Sequence, residues 1–342
     1  MLNGQLEAEY QIIKGLSAQV NYGFNVISSN SVAFKANVLL ANLDGSTRNL
    51  ASNLTERDDL NTQTLLTSLL KYQQEFGKHK LNLLAGYSEE EFLWKWNSGY
   101  RSGFINNTQR YLNLGNPSTQ TNNAAAFDLG MQSVFGRVNY VFADKYLFEA
   151  NIRKDGSSRF GKDYRWGTFP SLSAGWIMSE EEFMKNLTWI DMLKVRGSWG
   201  QLGNQNINSY YAASDILTTG QDYTLGGNLH SGVAITSMSN KETTWETTTQ
   251  TNFGLDLVIN KSIEITADYF NKATSDILMQ LPIPITMGDL VAPFVNVGDV
   301  VNKGIELSAS YRKKFSNGLN FRSTFNLAHI KNEITNLHGR SP

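Results

Sequence analysis

The stretch Asp155-Gly156-Ser157-Ser158-Arg159-Phe160 brings together an acid, two hydroxyls and a guanidinium. A serine nucleophile needs a base within hydrogen-bond reach, and no histidine lies in this segment. Asp-Gly followed by Ser-Ser suits a tight loop with side chains bonded to the local backbone, so the segment is expected to be structural. Glu180-Glu181-Glu182 offers carboxylates for calcium, but Phe183 and Met184 follow directly, which fits a solvated turn or helical start better. Gly197-Ser198-Trp199-Gly200 with Gly203 lacks the lysine and helix of a phosphate loop; glycines in a strand permit close approach and bending. His79, His230, His329 and His338 are scattered, without metal-site spacing. The absence of cysteine excludes disulfides, thiolate metal sites and cysteine nucleophiles. The expectation is a non-enzyme without cofactor or metal.

Recognition by aromatic side chains is the chemistry left standing. Trp94, Trp96 and Tyr100 close one alternating segment, and Tyr210, Tyr211 and Tyr223 lie in a long polar stretch rich in Asn, Gln, Asp and Gly. Aromatic faces beside amides and carboxylates suit sugar rings or peptide. They equally suit anchoring to a protein partner, or plain loop packing. These six residues are the substrate- or partner-binding candidates, with all three readings open.

Two kinds of element must hold them. The dominant pattern is period-two alternation, the signature of strands with one apolar face. Leu16, Ala18, Val20, Tyr22 and Phe24 oppose Ser17, Gln19, Asn21, Gly23 and Asn25; Leu255 and Leu257 oppose Gly254 and Asp256; Ile305, Leu307 and Ala309 oppose Glu306, Ser308 and Ser310. Strands are predicted near 5–13, 16–26, 62–76, 80–96, 130–142, 146–154, 166–179, 192–201, 244–259, 262–274, 299–314 and 318–333. The connections between them alternate. Tight ones fall at Lys14-Gly15, Gly77-Lys78-His79, Ala143-Asp144-Lys145, Asn260-Lys261 and Ser316-Asn317-Gly318, with a medium link at 180–191 in the same series. Long ones fall at 27–61, 97–129, 202–243 and 275–298, with a shorter one at 155–165.

Alternation alone does not say whether the apolar face packs in a soluble sandwich or meets lipid. Short turns at one end and long loops at the other are the asymmetry of outer-membrane barrels, and compact soluble domains rarely hold several structureless loops of more than about 15 residues. Most segments exceed the roughly 9–11 residues that cross a bilayer obliquely. Tyr22, Phe24, Phe76, Tyr140, Phe142, Tyr146, Trp176 and Trp199 gather near strand ends, as an interfacial girdle would. No apolar run reaches the length of a spanning helix. Charged residues are 18% of the chain and the net charge is −1, which gives no electrostatic footprint for nucleic acid.

From Gly136 onward the sequence resembles the SusC/RagA family of TonB-linked outer-membrane transporters. The resemblance rests on Gly136-Arg137-Val138-Asn139-Tyr140-Val141-Phe142-Ala143-Asp144-Lys145-Tyr146-Leu147, then Arg153 and Asp155-Gly156-Ser157-Ser158-Arg159-Phe160-Gly161. It continues through Trp166-Gly167, Phe169-Pro170-Ser171 and Ser173-Ala174-Gly175-Trp176 to Leu193-Lys194-Val195-Arg196-Gly197-Ser198-Trp199-Gly200-Gln201. Trp245-Glu246 and Asn302-Lys303-Gly304-Ile305-Glu306-Leu307 complete it. Gly136, Arg137, Tyr140, Asp155, Gly156, Ser157, Ser158, Arg159, Phe160, Trp176, Trp199 and Gly200 are read as structural motif residues.

The resemblance implies an outer-membrane location in a Gram-negative bacterium, with membrane lipids around a barrel of about 22 strands that has a plugged lumen. It also implies import of oligosaccharide or peptide powered through TonB, together with a SusD-like surface lipoprotein. No secretory signal, plug or TonB-contacting segment is recognised, and Leu337-His338-Gly339-Arg340-Ser341-Pro342 is not a terminal strand with a final aromatic. Residues 1–342 are therefore expected to be an interior part of the barrel: all-β, antiparallel, up-and-down, about 12 transmembrane strands, an open curved sheet in isolation. The alternative is a soluble or surface-attached all-β carbohydrate-binding module.

Overall fold

The computed structural model describes residues 1–41, 43–288 and 290–337. Twelve strands form its main sheet: β1 (Leu2–Ile13), β2 (Leu16–Lys35), β3 (Asn53–Phe76), β4 (His79–Ser102), β5 (Thr121–Phe142), β6 (Tyr146–Ser157), β7 (Trp166–Ile177), β8 (Ile190–Asn204), β9 (Glu246–Ile259), β10 (Ile263–Ser275), β11 (Asp299–Lys314) and β12 (Asn320–Asn336). Each strand is bonded to the next in chain order, and the order does not return from β12 to β1. The sheet is all-β, up-and-down and open, as expected for an interior part of a barrel. The expected tail, residues 338–342 with His338, lies outside the described residues.

The tight turns fall where they were expected. Ala143-Asp144 and Asn260-Lys261 take left-handed backbone, with φ of 54°, 58°, 45° and 52°, the geometry that matches hairpin turns to strand twist. On the long-loop side, by contrast, β2, β3, β4, β5, β6 and β8 run beyond their expected ends. β3 and β4 have 24 residues each, about 80 Å at 3.3 Å per residue, far more than a hydrocarbon core of about 30 Å. The extra lengths contain stretches that are polar on both faces (Ser28-Ser29-Asn30-Ser31, Thr55-Glu56-Arg57-Asp58-Asp59, Thr121-Asn122-Asn123). Where neither face meets lipid the alternation vanishes although backbone pairing continues, so the sequence pattern stops short of the strand.

The loops are correspondingly shorter than expected and are not structureless. Small hairpins occupy them: Val38–Ala41 with Thr47–Leu50, Leu217–Thr219 with Val233–Ile235, Tyr223–Leu225 with Asn228–His230, and Leu278–Gln280 with Phe294–Asn296. The medium link after β7 holds two short 3-10 turns, Met178–Glu180 and Glu182–Met184.

By contacts the chain divides into two units. The first comprises residues 1–8, 21–67 and 89–130, and the second residues 9–20, 68–88 and 131–342. In the first, a small core sits under the loops: Ser52 and Leu54 are fully buried, Phe104 N–H donates to Ser52 Oγ at 3.0 Å, and Phe34 meets Phe104 edge-on at 5.6 Å. In the second, Phe160, Phe169 and Trp245 form the buried cluster, with Met131 and Leu278 packed against it.

The described residues bury only eight apolar side chains, and all of them lie in loops or near the loop ends of strands. The apolar face of the sheet itself is uncovered: Val134, Ile152, Leu172, Val195, Phe253 (59% exposed) and Ile305 (58%) stand in the open. A soluble sandwich would bury this face against a second layer. Here no second layer exists among the described residues. No helix among them is long and apolar enough to cross a membrane, a fact that leaves strands untouched.

Candidate functional site

In the first unit, alternation on β4 puts Trp94, Trp96 and Tyr100 on one face, with Glu91, Leu93, Lys95 and Asn97 exposed on the other. Sequence reasoning missed their partners on β3. Asp59 accepts from Arg57 Nε and Nη2, both at 2.7 Å, and from Trp94 Nε1 at 3.0 Å. The Arg57 guanidinium lies over Trp96 at 4.2 Å from the ring centre, a cation–π contact. Phe127 stacks on Trp94, with centroids 5.3 Å apart and planes 24° apart. The signal for these partners was Arg57-x-Asp59, two opposite charges on one strand face. The product is a rigid platform of two indoles and a guanidinium on the polar face. Tyr100 lies farther toward the loop and helps line a depression of about 540 Å³ with Arg101, Leu112 and Gln120.

In the second unit, the other three candidates fall into two places. Tyr210 packs on the Arg159 guanidinium at 5.0 Å and neighbours Tyr211 at 6.5 Å. Tyr223 is exposed on its own hairpin, stacked on His230 at 5.7 Å. Tyr210 and Tyr211 thus belong to a loop anchor, whereas Tyr223 stands at a tip.

That anchor is built by the Asp155–Phe160 motif. Asp155, Gly156 and Ser157 are the end of β6, not a loop as expected, because their pairing with β5 and β7 continues to Met131↔Ser157 and Gly156↔Trp166. Asp155 accepts from Arg153 Nε at 2.6 Å, and Arg153 also donates to Ser133 Oγ at 2.8 Å. Buried Ser157 donates to Gln205 and accepts from the N–H of Arg159 at 3.2 Å. Arg159 donates to the carbonyls of Ile207 (2.6 Å) and Ser209 (2.8 Å). Burial pulls its guanidinium below the usual arginine value, which still leaves it charged. Phe160, 1% exposed, packs on Trp245 at 5.3 Å, whose Nε1 donates to Arg165 O at 2.9 Å. Thr243, Thr244 and Asn240 extend the knot to Phe294 O and Asn296. The motif ties three loops together, 158–165, 205–245 and 276–298. Ser157 thus has an amide and a backbone N–H as its partners.

The remaining motif residues are placed on the wall. Gly136 and Trp199 face the apolar side, Trp199 being 38% exposed. Arg137 lies on the polar side opposite Asn151. Tyr140 Oη is 2.7 Å from His79 Nδ1 near the turn end. Gly200 lets β7 approach, since a methyl there would stand 2.7 Å from Ser171 Cβ. Trp176 Nε1 donates to Glu181 at 3.2 Å, as do Tyr146 Oη (2.7 Å) and Lys145 Nζ (3.1 Å). Glu181 is therefore a clamp on the turn end and not simply solvated. These donors, the Tyr146 hydroxyl first, hold its carboxyl below the usual range. Glu182 is the solvated member, paired with Lys185 at 2.5 Å.

An open sheet with one polar and one uncovered apolar face, tight turns at one end and structured loops at the other, is a barrel wall. The family model "TonB dependent receptor-like, beta-barrel" matches residues 2–340. The chain belongs to this family of TonB-dependent receptor barrels. Among curated relatives, this receptor barrel is 32% identical over 336 residues to TonB-dependent receptor P3 of Formosa agariphila, covering 96% of the chain and 32% of the relative. It is 31% identical over 276 residues to TonB-dependent receptor SusC of Bacteroides thetaiotaomicron, covering 79% of the chain and 27% of the relative. The chain spans 27–32% of the length of the curated relatives it matches. Its fold is similar to the RagAB peptide importer in the open-open state, with a TM-score of 0.87 and 25% identity over 98% of this chain and 36% of that one. The SusC/RagA resemblance read from the motifs agrees with these relatives, and the location is the outer membrane of a Gram-negative bacterium.

Proposed function

We propose that this receptor barrel segment supplies wall and extracellular loops to a TonB-dependent transporter that imports oligosaccharide or peptide together with a SusD-like surface lipoprotein. The observation that carries the proposal is the pairing of an outward apolar face with a polar face bearing the Arg57–Asp59–Trp94–Trp96 platform. Indole edges and a fixed guanidinium–carboxylate pair offer flat apolar surface beside directional hydrogen bonds, as sugar rings and peptide groups require. The loops, those at 158–165, 205–245 and 276–298 braced by the Phe160–Trp245 knot, face outward to partner and substrate; the tight turns face the periplasm. Residues 1–342 form part of one barrel domain, with plug and TonB contacts supplied elsewhere in the parent protein. Family membership sets the soluble-module alternative aside.

The test is uptake of labelled oligosaccharides and peptides by cells producing the parent protein. TonB-dependent accumulation that is lost in the gene deletion, with a lipoprotein copurifying, supports the proposal. Accumulation unaffected by deletion contradicts it.

A further inference from the structure

On the polar face of the first unit, three contacts between β3 and β4 share one register. Arg57 lies over Trp96, Asp59 accepts from Trp94, and Gln63 Nε2 donates to Glu90 Oε1 at 2.6 Å. The same register sets Asn61 opposite Phe92. Two columns therefore run side by side along the strands, rings on β4 and amides and charges on β3. From Arg57 to Gln63 they extend for about 20 Å. Arg57 and Asp59 neutralise each other through two bonds of 2.7 Å, so the columns hold no unmatched cation for a carboxylate. Trp96 Nε1 and the Asn61 amide, both neutral, have no hydrogen-bond partner among the described residues.

The neighbouring strand β5 leaves a notch beside Trp96. Phe127 stacks on Trp94, and Ser102 N–H donates to Thr119 Oγ1 at 2.9 Å. Both contacts give one register, which sets Ala125 opposite Trp96. A phenyl ring thus fills the place beside Trp94, whereas a methyl group beside Trp96 leaves room for a ring of that size. The notch is bounded by the edge of an indole whose N–H is free, and the polar column of β3 lies across from it. A ligand that fits needs the bulk of one ring, an apolar face for the indole and neutral hydrogen-bonding groups around its rim. A pyranose has all three; an aromatic side chain of a peptide has no such rim. We infer that the notch at Ala125 is a binding site for one ring of a neutral oligosaccharide, its CH face on Trp96 and a hydroxyl on Trp96 Nε1, with the following rings lying along the columns past Asn61. This rests on the import reading proposed above and chooses sugar over peptide within it.

The experiment uses the full-length parent protein, immobilised in detergent and offered a mixture of neutral glucan, mannan and xylan oligosaccharides, then a mixture of random short peptides. Mass spectrometry reads what is retained. A neutral oligosaccharide series is expected, its longer members held more strongly than its disaccharide, and no peptide. Ala125→Leu, which fills the notch, and Trp96→Ala should each lower retention several-fold, with the heat-modifiable gel mobility of the barrel unchanged. Trp96→Phe, which keeps a ring, should lose less. Retention of peptides instead, lost in the same variants, overturns the choice of sugar and leaves import standing. Oligosaccharide held equally by wild type, Trp96→Ala and Ala125→Leu overturns the notch and also leaves import standing. No retained sugar, while labelled oligosaccharide or peptide still enters cells in a TonB-dependent manner, overturns the notch alone. Absence of that entry overturns the import reading with it.

Discussion

Arg196 on β8 and Asp268 on β10 are joined across the strand between them, Nη1 to Oδ1 at 2.7 Å. The register Arg196↔Gly254↔Asp268 puts a glycine under the bridge. A methyl on Gly254 would lie 2.4 Å from Arg196 Cζ and 2.6 Å from Asp268 Oδ1. Asp256 also accepts from Arg196, at 3.2 Å. Three strands of the polar face are thereby locked in register by one guanidinium.

Gly254→Val should force this bridge apart and cost about 1–3 kcal/mol, the usual range for overpacking. In an Arg196→Gln background the same change should cost less, because the two positions share one interaction. Denaturant unfolding of the four proteins of this cycle measures the coupling. Additive losses would show that Gly254 acts through the backbone alone.

The lipid-facing assignment predicts an asymmetry between neighbours on β9. Leu255→Arg should destabilise by about 2–4 kcal/mol if it sits near mid-membrane, and Asn252→Arg on the wet face by clearly less. Refolding into bilayers is the measurement. Asp256 is a poorer control than Asn252, since its loss also unpairs Arg196.

The wall was legible because lipid on one side and water on the other write a period of two into the sequence, as in Leu255-Asp256-Leu257. That record ends where lipid ends. Asn53 to Asn61 and Thr121 to Leu129 are strand, yet their polar residues on both faces resemble a loop. The Asp155–Phe160 motif reads locally as a tight loop, whereas its partners Gln205, Ile207 and Trp245 lie 40 or more residues away and no local pattern announces them. Trp94 and Trp96 were visible as aromatics on one face. Their setting depends on Arg57 and Asp59, which only the register of β3 against β4 brings near.

Removing the centre of the loop knot should loosen the loops before the wall. Phe160→Ala takes a fully buried ring from Trp245 and should cost about 3–5 kcal/mol locally. Limited proteolysis should then cut within 205–245 several-fold faster, while the heat-modifiable gel mobility of the parent barrel persists. Unchanged cutting would show that the hairpins hold themselves.

The Glu181 clamp should depend on pH. Its carboxyl lies below the usual range when folded, so its bonds to Tyr146, Trp176 and Lys145 are complete above that range. They are lost as pH falls through the depressed value. The difference in tryptophan fluorescence between wild type and Glu181→Gln should be constant at neutral pH and disappear on acidification. A difference that grows on acidification would contradict the clamp.

The Trp94–Trp96 platform should matter to binding more than to folding. Trp96→Ala in the parent should weaken capture of the imported substrate by about tenfold, roughly 1.4 kcal/mol, and leave the yield of folded barrel intact. Equal capture by the variant would assign the rings to loop packing.

The central claim is an outer-membrane wall with long loops outside and tight turns in the periplasm, and single cysteines test it most directly. The chain has no cysteine of its own, so Gly220→Cys in the long loop and Asn260→Cys in the tight turn can be compared within the parent protein. On intact cells an impermeant thiol reagent should label position 220 and leave 260 unlabelled until the outer membrane is permeabilised. Equal labelling of both before permeabilisation, or labelling of 260 alone, would contradict the account.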